Sequence, residues 1–375
     1  MNKPINILSL VSYKFLPPKM GGQKAIVFFN RYLSRRINLI CVSVKNNSLD
    51  NAEGYEIKNI LGSTRFRYIN LFYFFSLKKI IKKEKITHLI IEHPYYGWLG
   101  VLFKYFCRVK LIVHSQNIES LRFKSVKKWW WRILWHYEKW VHRRADLNFF
   151  ITEDDKTYGI KKFKLNAARC ATITYGFELN KIPSEQDKLA SRKFICDVYG
   201  IDKKEKIILF NGTLNYKPNL DALNIILEKI NPLLISENFF YKIIICGSKL
   251  PTRYHELSSY KDKNIIYAGF VDDITVFFKG ADILINPVID GGGIKTKVVE
   301  ALGYNLSVVS TRSGAIGIPP TIAGSKMQIV SDNEWNIFAR QITSINIHTS
   351  IPEQFFDYFY WDKIVEKAAA LILQS

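Results

Sequence analysis

Acidic residues are scarce in this sequence: 33 Asp and Glu stand against 54 Lys and Arg in 375 residues, a formal net charge of +21. The deficit is uneven, because residues 1–180 carry about +20 of it while the rest is nearly neutral. Cysteine is sparse as well. Cys41, Cys107, Cys170, Cys196 and Cys246 stand singly, with no CxxC pair and no histidine cluster at metal-ligand spacing, which argues against a disulfide framework or a zinc site. Long apolar runs are missing too. None reaches the roughly 18 residues of a spanning helix, and the N-terminal stretch turns polar too early for a signal peptide. The expectation is a protein of the reducing cytosol with neither leader nor membrane span.

What is present is material for two cores, since 48% of the residues are hydrophobic and the length exceeds the ~100–200 residues usual for one domain. The stretch 5–11 is β-branched and alternating. It breaks at Pro17-Pro18 and Gly21-Gly22, passes into a helical pattern over 25–33, and returns to a strand at 39–44, a βαβ unit. Further short apolar runs at 88–91, 111–113, 147–151 and 171–174 continue a parallel sheet with crossover helices. After a polar stretch the pattern restarts at 207–210 and recurs at 241–246, 265–268, 283–286 and 307–310, predicting a second open α/β sheet. The spacing of Ile364, Ala368 and Leu371 predicts a terminal helix. The domain reading is therefore 1–180, a linker region over 181–203, 204–355, and a terminal helix over 356–375.

The most specific segment runs from Ile285 to Gly303, where a buried strand enters Asp290-Gly291-Gly292-Gly293 and then opens a helix. Glycine backbones admit a ligand closely, and the first N–H groups of a helix are unpaired, so the junction suits a diphosphate. Lys295 and Lys297 add positive charge there, and Glu300, about two turns in, could accept hydrogen bonds from ribose hydroxyls. This segment, followed by Ser307-Val308-Val309-Ser310-Thr311, resembles the donor-binding signature of family 4 retaining GT-B glycosyltransferases. Gly212 to Asn219 resembles the start of that family's nucleotide-binding domain, Ala268 to Asp273 its loop near the base, Tyr175 to Glu178 the turn closing its first domain, and Pro17 to Gly22 its first-domain glycine loop.

The resemblance implies α/β architecture of GT-B type, with two Rossmann-like domains facing across a cleft and a C-terminal helix packing back toward the first. It implies retention at the anomeric carbon without a metal, and no cofactor, the nucleotide-sugar being a substrate. Carried over by position, the donor-binding residues are Gly22, Gly212, Lys217, Asp290, Gly291, Gly292, Gly293, Lys295 and Glu300. The catalytic candidates are Lys217, Gln116, which fills the slot of a residue contacting the transferred sugar, and His114 two places earlier. The chain departs from the family pattern at Gly292, where many members carry a second Glu, and at Thr213, where an Arg is common.

The basic half calls for a polyanion. Residues 124–144 contain neither Pro nor Gly and read as one helix, with Trp130, Ile133, Leu134, Tyr137, Trp140 and Val141 inward. That phase leaves Trp131 and Trp135 among Lys128, Arg132 and Lys139, the pattern of a helix lying in a membrane interface. A second basic amphipathic segment spans 72–85. The partners expected are a nucleotide-sugar donor, a lipid-linked saccharide acceptor destined for capsule or O-antigen type polysaccharide, and an anionic membrane surface, with the protein peripheral on the inner face. Two alternatives are a non-transferring enzyme of the same fold, such as a nucleotide-sugar epimerase, and a basic nucleic-acid-binding protein. The chain shows no nucleic-acid motif.

Overall fold

The computed structural model describes residues 4–48, 52–237 and 239–375. They divide into two compact units, the first holding the chain up to Gly176 together with Trp361–Ser375, the second Phe177–Tyr360. Both are α/β with wholly parallel sheets, as the alternation of apolar runs and helical patterns requires.

The first sheet contains β1 (Asn6–Val11), β2 (Asn38–Val44), β3 (Glu56–Leu61), β4 (His88–Glu92), β5 (Lys110–Ser115), β6 (Leu147–Phe150) and β7 (Cys170–Thr172), in the order β3-β2-β1-β4-β5-β6-β7. The order reverses between β1 and β4, so the connections that leave their carboxyl ends diverge and open a crevice there. The central strands are buried on both faces, which explains their continuous apolar runs.

The second sheet is built of β8 (Lys206–Asn211), β9 (Tyr241–Cys246), β10 (Ile265–Gly269), β11 (Ile283–Asn286), β12 (Ser307–Thr311) and β13 (Met327–Val330), in the order β10-β9-β8-β11-β12-β13. Its reversal lies between β8 and β11. The stretch expected as a linker region instead carries the helix Glu185–Tyr199, which belongs to the second unit. Ser184 caps it by accepting the Asp187 N–H at 3.1 Å, and Arg192 ties it to Asp282 at 2.7 Å.

The terminal helix, Trp361–Leu373, belongs to the first unit. Trp361 is fully buried there, and Gly176 is required beside it, since a Cβ at 176 would stand 2.4 Å from the indole. The helix is held further by Arg36 to Asp362 at 2.7 Å and by Lys367 donating to the Thr172 carbonyl.

Candidate active site

In the second unit the loops leaving β8 and β11 meet at the strand-order reversal. Asn219 donates to the Thr213 carbonyl at 3.1 Å and lies against Gly212, where a Cβ would come within 2.6 Å of its amide nitrogen. From the other side comes the glycine loop, with Gly291 at φ +92° and Gly293 at φ +70°, left-handed values that favour glycine. Asp290 accepts the Gly291 N–H at 2.6 Å and so shapes the loop.

The helix that follows begins at Thr296, with no side-chain cap over its first turn. Lysine chemistry here divides in two. Lys295 folds back on its own loop, donating to the carbonyls of Gly291 at 2.7 Å and Gly293 at 3.0 Å. Lys297 reaches across to β8, donates to the Asn211 carbonyl at 3.0 Å, and rests 4.4 Å over the Phe210 ring. Burial, reinforced by the nearby Lys295 charge, pushes the Lys297 ammonium down to about 7. A cation held so reluctantly is poised for an anion that would relieve it.

Lys217 stands at the start of the helix Lys217–Ile225, exposed and ion-paired with Asp221. Glu300 is partly buried, and burial together with its charge helps push the Tyr304 phenol up to about 12. Gly292 is exposed. Gly212, Lys217, Asp290, Gly291, Gly293, Lys295 and Glu300 thus gather around one strand-order reversal. The sequence places Lys295 among the donor-binding residues and gives Lys297 only a share of the local charge; that Lys295 turns back on its loop while Lys297 reaches β8 becomes visible only in three dimensions.

The first unit presents a matching arrangement. Gly22 lies in the first turn of the helix Gly21–Ser34, and a Cβ there would come within 2.8 Å of the Gln116 side-chain oxygen. Gln116 is buried, and its amide nitrogen has no hydrogen-bond partner among the described residues. Gly22 and Gln116 are therefore brought together. His114 lies deeper: its Nδ1 is 3.0 Å from Glu92, and its ring packs 4.4 Å from Phe29.

The sequence offers His93 as a second cleft candidate alongside His114, but not the group that the fold builds around it. His93, directly after β4, has φ +65° and ψ 158°, a strained backbone for a residue with a side chain. Its Nδ1 lies 3.2 Å from Glu119 and its Nε2 3.2 Å from the Tyr13 hydroxyl. Glu119 is also bound by Arg122 and Tyr95. Burial opposes its ionisation, but His93 and Arg122 outweigh that and hold its carboxyl down to about 2. The signal available in the sequence was a histidine at a strand's carboxyl end; its acidic partner, 26 residues away, carried none.

The basic helix departs from expectation. Residues 124–144 are two elements, Glu119–Ser125 and Trp131–Arg144, separated by a turn in which Lys127 has φ +55°. The second helix buries Glu138, Val141 and His142. Ile133, expected inside, is 65% exposed. Trp135, expected outside, packs against Phe163 at 5.5 Å and donates to the Tyr158 hydroxyl at 2.9 Å. The cause is Glu138, which accepts the N–H groups of Glu119 and Ser120 at the start of the preceding helix. That buried carboxyl, pushed up to about 7 by burial, turns a face that looks polar in sequence inward. Trp131 is partly buried beneath Lys124 and Arg132, Lys139 lies 4.8 Å over the Trp135 ring, and Lys128 is exposed.

Residues 205–346 match the family described as Glycosyl transferases group 1, and residues 21–181 that described as Glycosyltransferase Family 4. The chain belongs to the family 4, group 1 glycosyltransferases. Among curated relatives, an uncharacterized 44.6 kDa protein in the cps region of Klebsiella pneumoniae is 31% identical over 149 residues, 38% of each chain. A chitobiosyldiphosphodolichol beta-mannosyltransferase of Debaryomyces hansenii is 26% identical over 325 residues, 79% of this chain and 67% of that one. The match thus spans well under half of the Klebsiella protein. The Anabaena protein HepE, solved in complex with UDP-glucose, shares the fold with a TM-score of 0.69 at 12% identity, covering 98% of this glycosyltransferase and 100% of HepE. The two parallel sheets are those of the GT-B architecture. Among the described residues of this glycosyltransferase, no helix is long and apolar enough to cross a membrane.

Proposed function

We propose that this glycosyltransferase moves a sugar from a nucleoside diphosphate sugar to a lipid-linked saccharide at the inner face of a membrane, in making a surface polysaccharide. The observation that carries the reading is Lys297, a partly buried ammonium aimed at the β8/β11 reversal beside a glycine loop and an uncapped helix start. The departing diphosphate gathers negative charge as the glycosidic bond breaks. Lys297, Lys217 and the free N–H groups of the helix Thr296–Gly303 neutralise that charge in place, the main electrostatic contribution to catalysis. Glu300 takes the ribose hydroxyls. Gln116, backed by Gly22, meets the transferred sugar, with His114 behind it.

With these cations the reaction needs neither metal nor cofactor, and it proceeds with retention at the anomeric carbon. The cps-region relative supports a polysaccharide product, the mannosyltransferase relative a lipid-diphosphate acceptor, and the HepE complex a uridine nucleotide as first probe.

A panel of nucleotide sugars, screened by thermal stabilisation and then by transfer to lipid-linked saccharides in the presence of EDTA, tests this reading. The expected outcome is stabilisation by one nucleotide sugar, chelator-resistant transfer with retention, and severe loss of transfer in Glu300→Ala and in Lys217→Ala with the fold intact. Full turnover by both variants sinks the site assignment. Activity lost to EDTA and restored by magnesium or manganese sinks the metal-independent part.

A further inference from the structure

We propose that the outer side of three adjacent helices in the first unit, Phe72–Lys83, Gly97–Cys107 and Trp131–Arg144, docks on an anionic lipid surface and seats a lipid phosphate headgroup in a basic pocket between the last two. The inference deepens the membrane-held acceptor of the preceding reading and rests on it. The face keeps the segment 72–85 and Lys139 that the sequence pointed to, and puts Tyr105, Phe106 and Arg143 in the place of Trp131 and Trp135.

The three helices form one layer. Phe74 stacks on Phe103 at 5.3 Å and meets Phe106 edge-on at 5.9 Å, joining the first helix to the second. The Trp98 N–H donates to the Tyr137 hydroxyl at 3.0 Å and Lys104 to the Arg144 carbonyl at 2.8 Å, joining the second to the third. On the solvent side Phe72, Phe75, Tyr105 and Phe106 are each more than 60% exposed, and Ile69 and Leu71 lead into them with similar exposure. Rings and aliphatic side chains collected in this way mark an interaction surface rather than scattered exposure.

Charge identifies the partner. An open cavity of about 530 Å³ is lined by Tyr105, His136, Lys139, Trp140, Arg143 and Arg144. The Arg144 guanidinium lies 4.6 Å over the Trp140 ring, which holds a planar cation at the pocket wall. Past Phe106 a second cavity of about 590 Å³ includes Lys82 and Lys85 in its lining. Acidic groups on these helices and their ends are already engaged: Asp146 with Lys104 at 2.9 Å, Glu84 with Lys58 at 3.4 Å, and Glu138 with backbone N–H groups in the interior. The rings are left inside a positive field. Aromatic side chains flanked by basic pockets suit the interfacial layer of an anionic leaflet, where rings enter the acyl boundary and cations meet phosphates. A single-stranded nucleic acid would require a continuous groove with stacking faces, and Ile69 and Leu71 offer none.

Co-sedimentation of the full chain with phosphatidylcholine vesicles, with and without phosphatidylglycerol, tests the proposal. Binding is expected only to the anionic vesicles and should weaken with salt. Lys139→Glu combined with Arg143→Glu should weaken it at least about ten-fold, as charge reversal near a leaflet does, and Phe72→Ser with Phe75→Ser should weaken it comparably. Phe72, Phe75 and Arg143 are exposed and Lys139 is partly buried over the Trp135 ring, so unchanged melting temperatures serve as the folding control. Wild-type binding by both variants overturns the proposal. So does displacement of the vesicles by millimolar inorganic phosphate, which would mark a free-phosphate site, or by an oligonucleotide of mixed sequence. Nucleotide-sugar binding, followed on the same variants, should not change; its absence from the wild-type chain would strike the donor reading while leaving the vesicle result standing.

Discussion

Replacing Lys297 with Met should stabilise the unliganded protein while weakening its hold on a nucleotide. The ammonium is pushed from 10.5 down to about 7. At about 1.4 kcal/mol per unit that corresponds to an upper figure of roughly 5 kcal/mol against the charged form. The Asn211 carbonyl, the Phe210 ring and residual solvent contact offset part of it, leaving an expected gain of about 2 kcal/mol for the variant below pH 7. The sign follows from proton linkage: between pH 7 and 10.5 the unfolded chain keeps the proton and the native state does not, so wild type gains stability as pH rises. The advantage of Lys297→Met is therefore largest at pH 6 and fades toward pH 10. A bound diphosphate relieves the same ammonium, so wild-type affinity for UDP should fall as pH climbs above 7, whereas the variant should bind weakly with little pH dependence. Melting curves and UDP titrations at pH 6, 7.5 and 9 measure both effects. A variant that melts below wild type at pH 6 and binds UDP equally well refutes the reasoning.

Gly22→Val should lower kcat/KM at least about ten-fold with little change in melting temperature, because its side chain displaces the Gln116 carboxamide; steady-state kinetics beside a melting curve check it. Trp135→Ser should cost about 2 kcal/mol by emptying its place against Phe163, whereas Ile133→Ser should be nearly neutral; denaturant titration compares them. His142, buried and hydrogen-bonded to Asn148 at 2.8 Å, is pushed by burial down to about 4. The stability from keeping it neutral is complete above pH 6.5 and is lost as pH falls toward 4, roughly 3 kcal/mol in all. His142→Gln should flatten that stretch of the stability profile.

Central strands were legible in the sequence because burial on both faces leaves an uninterrupted apolar run, as in β9 and β11, whose observed limits are those expected. The edge strands β3 and β13 were not, since each has partly exposed positions that interrupt the run. The donor loop was legible because its chemistry is contiguous, three glycines and two lysines within seven residues. The Tyr13–His93–Glu119–Arg122 group was not, because it is assembled from the ends of β1 and β4 and the start of the helix Glu119–Ser125. The phase of the helix Trp131–Arg144 was misread for a related reason: an apolar stripe predicts the buried face only when no charged side chain is needed inside.

Trp361–Leu373 makes the second unit an insertion within the first. The chain leaves the first unit after Gly176 and returns at Trp361, and exit and re-entry are joined by one isolated bridge, the Phe177 N–H donating to the Phe359 carbonyl beside Tyr360. During synthesis the second unit is therefore complete in sequence before the first, whose Gly176 wall stays open until Trp361 has cleared the ribosome. The N-terminal half must wait with that apolar seat uncovered while everything after it is translated, so newly made chains of this glycosyltransferase should depend on a holding chaperone for the first unit and not for the second.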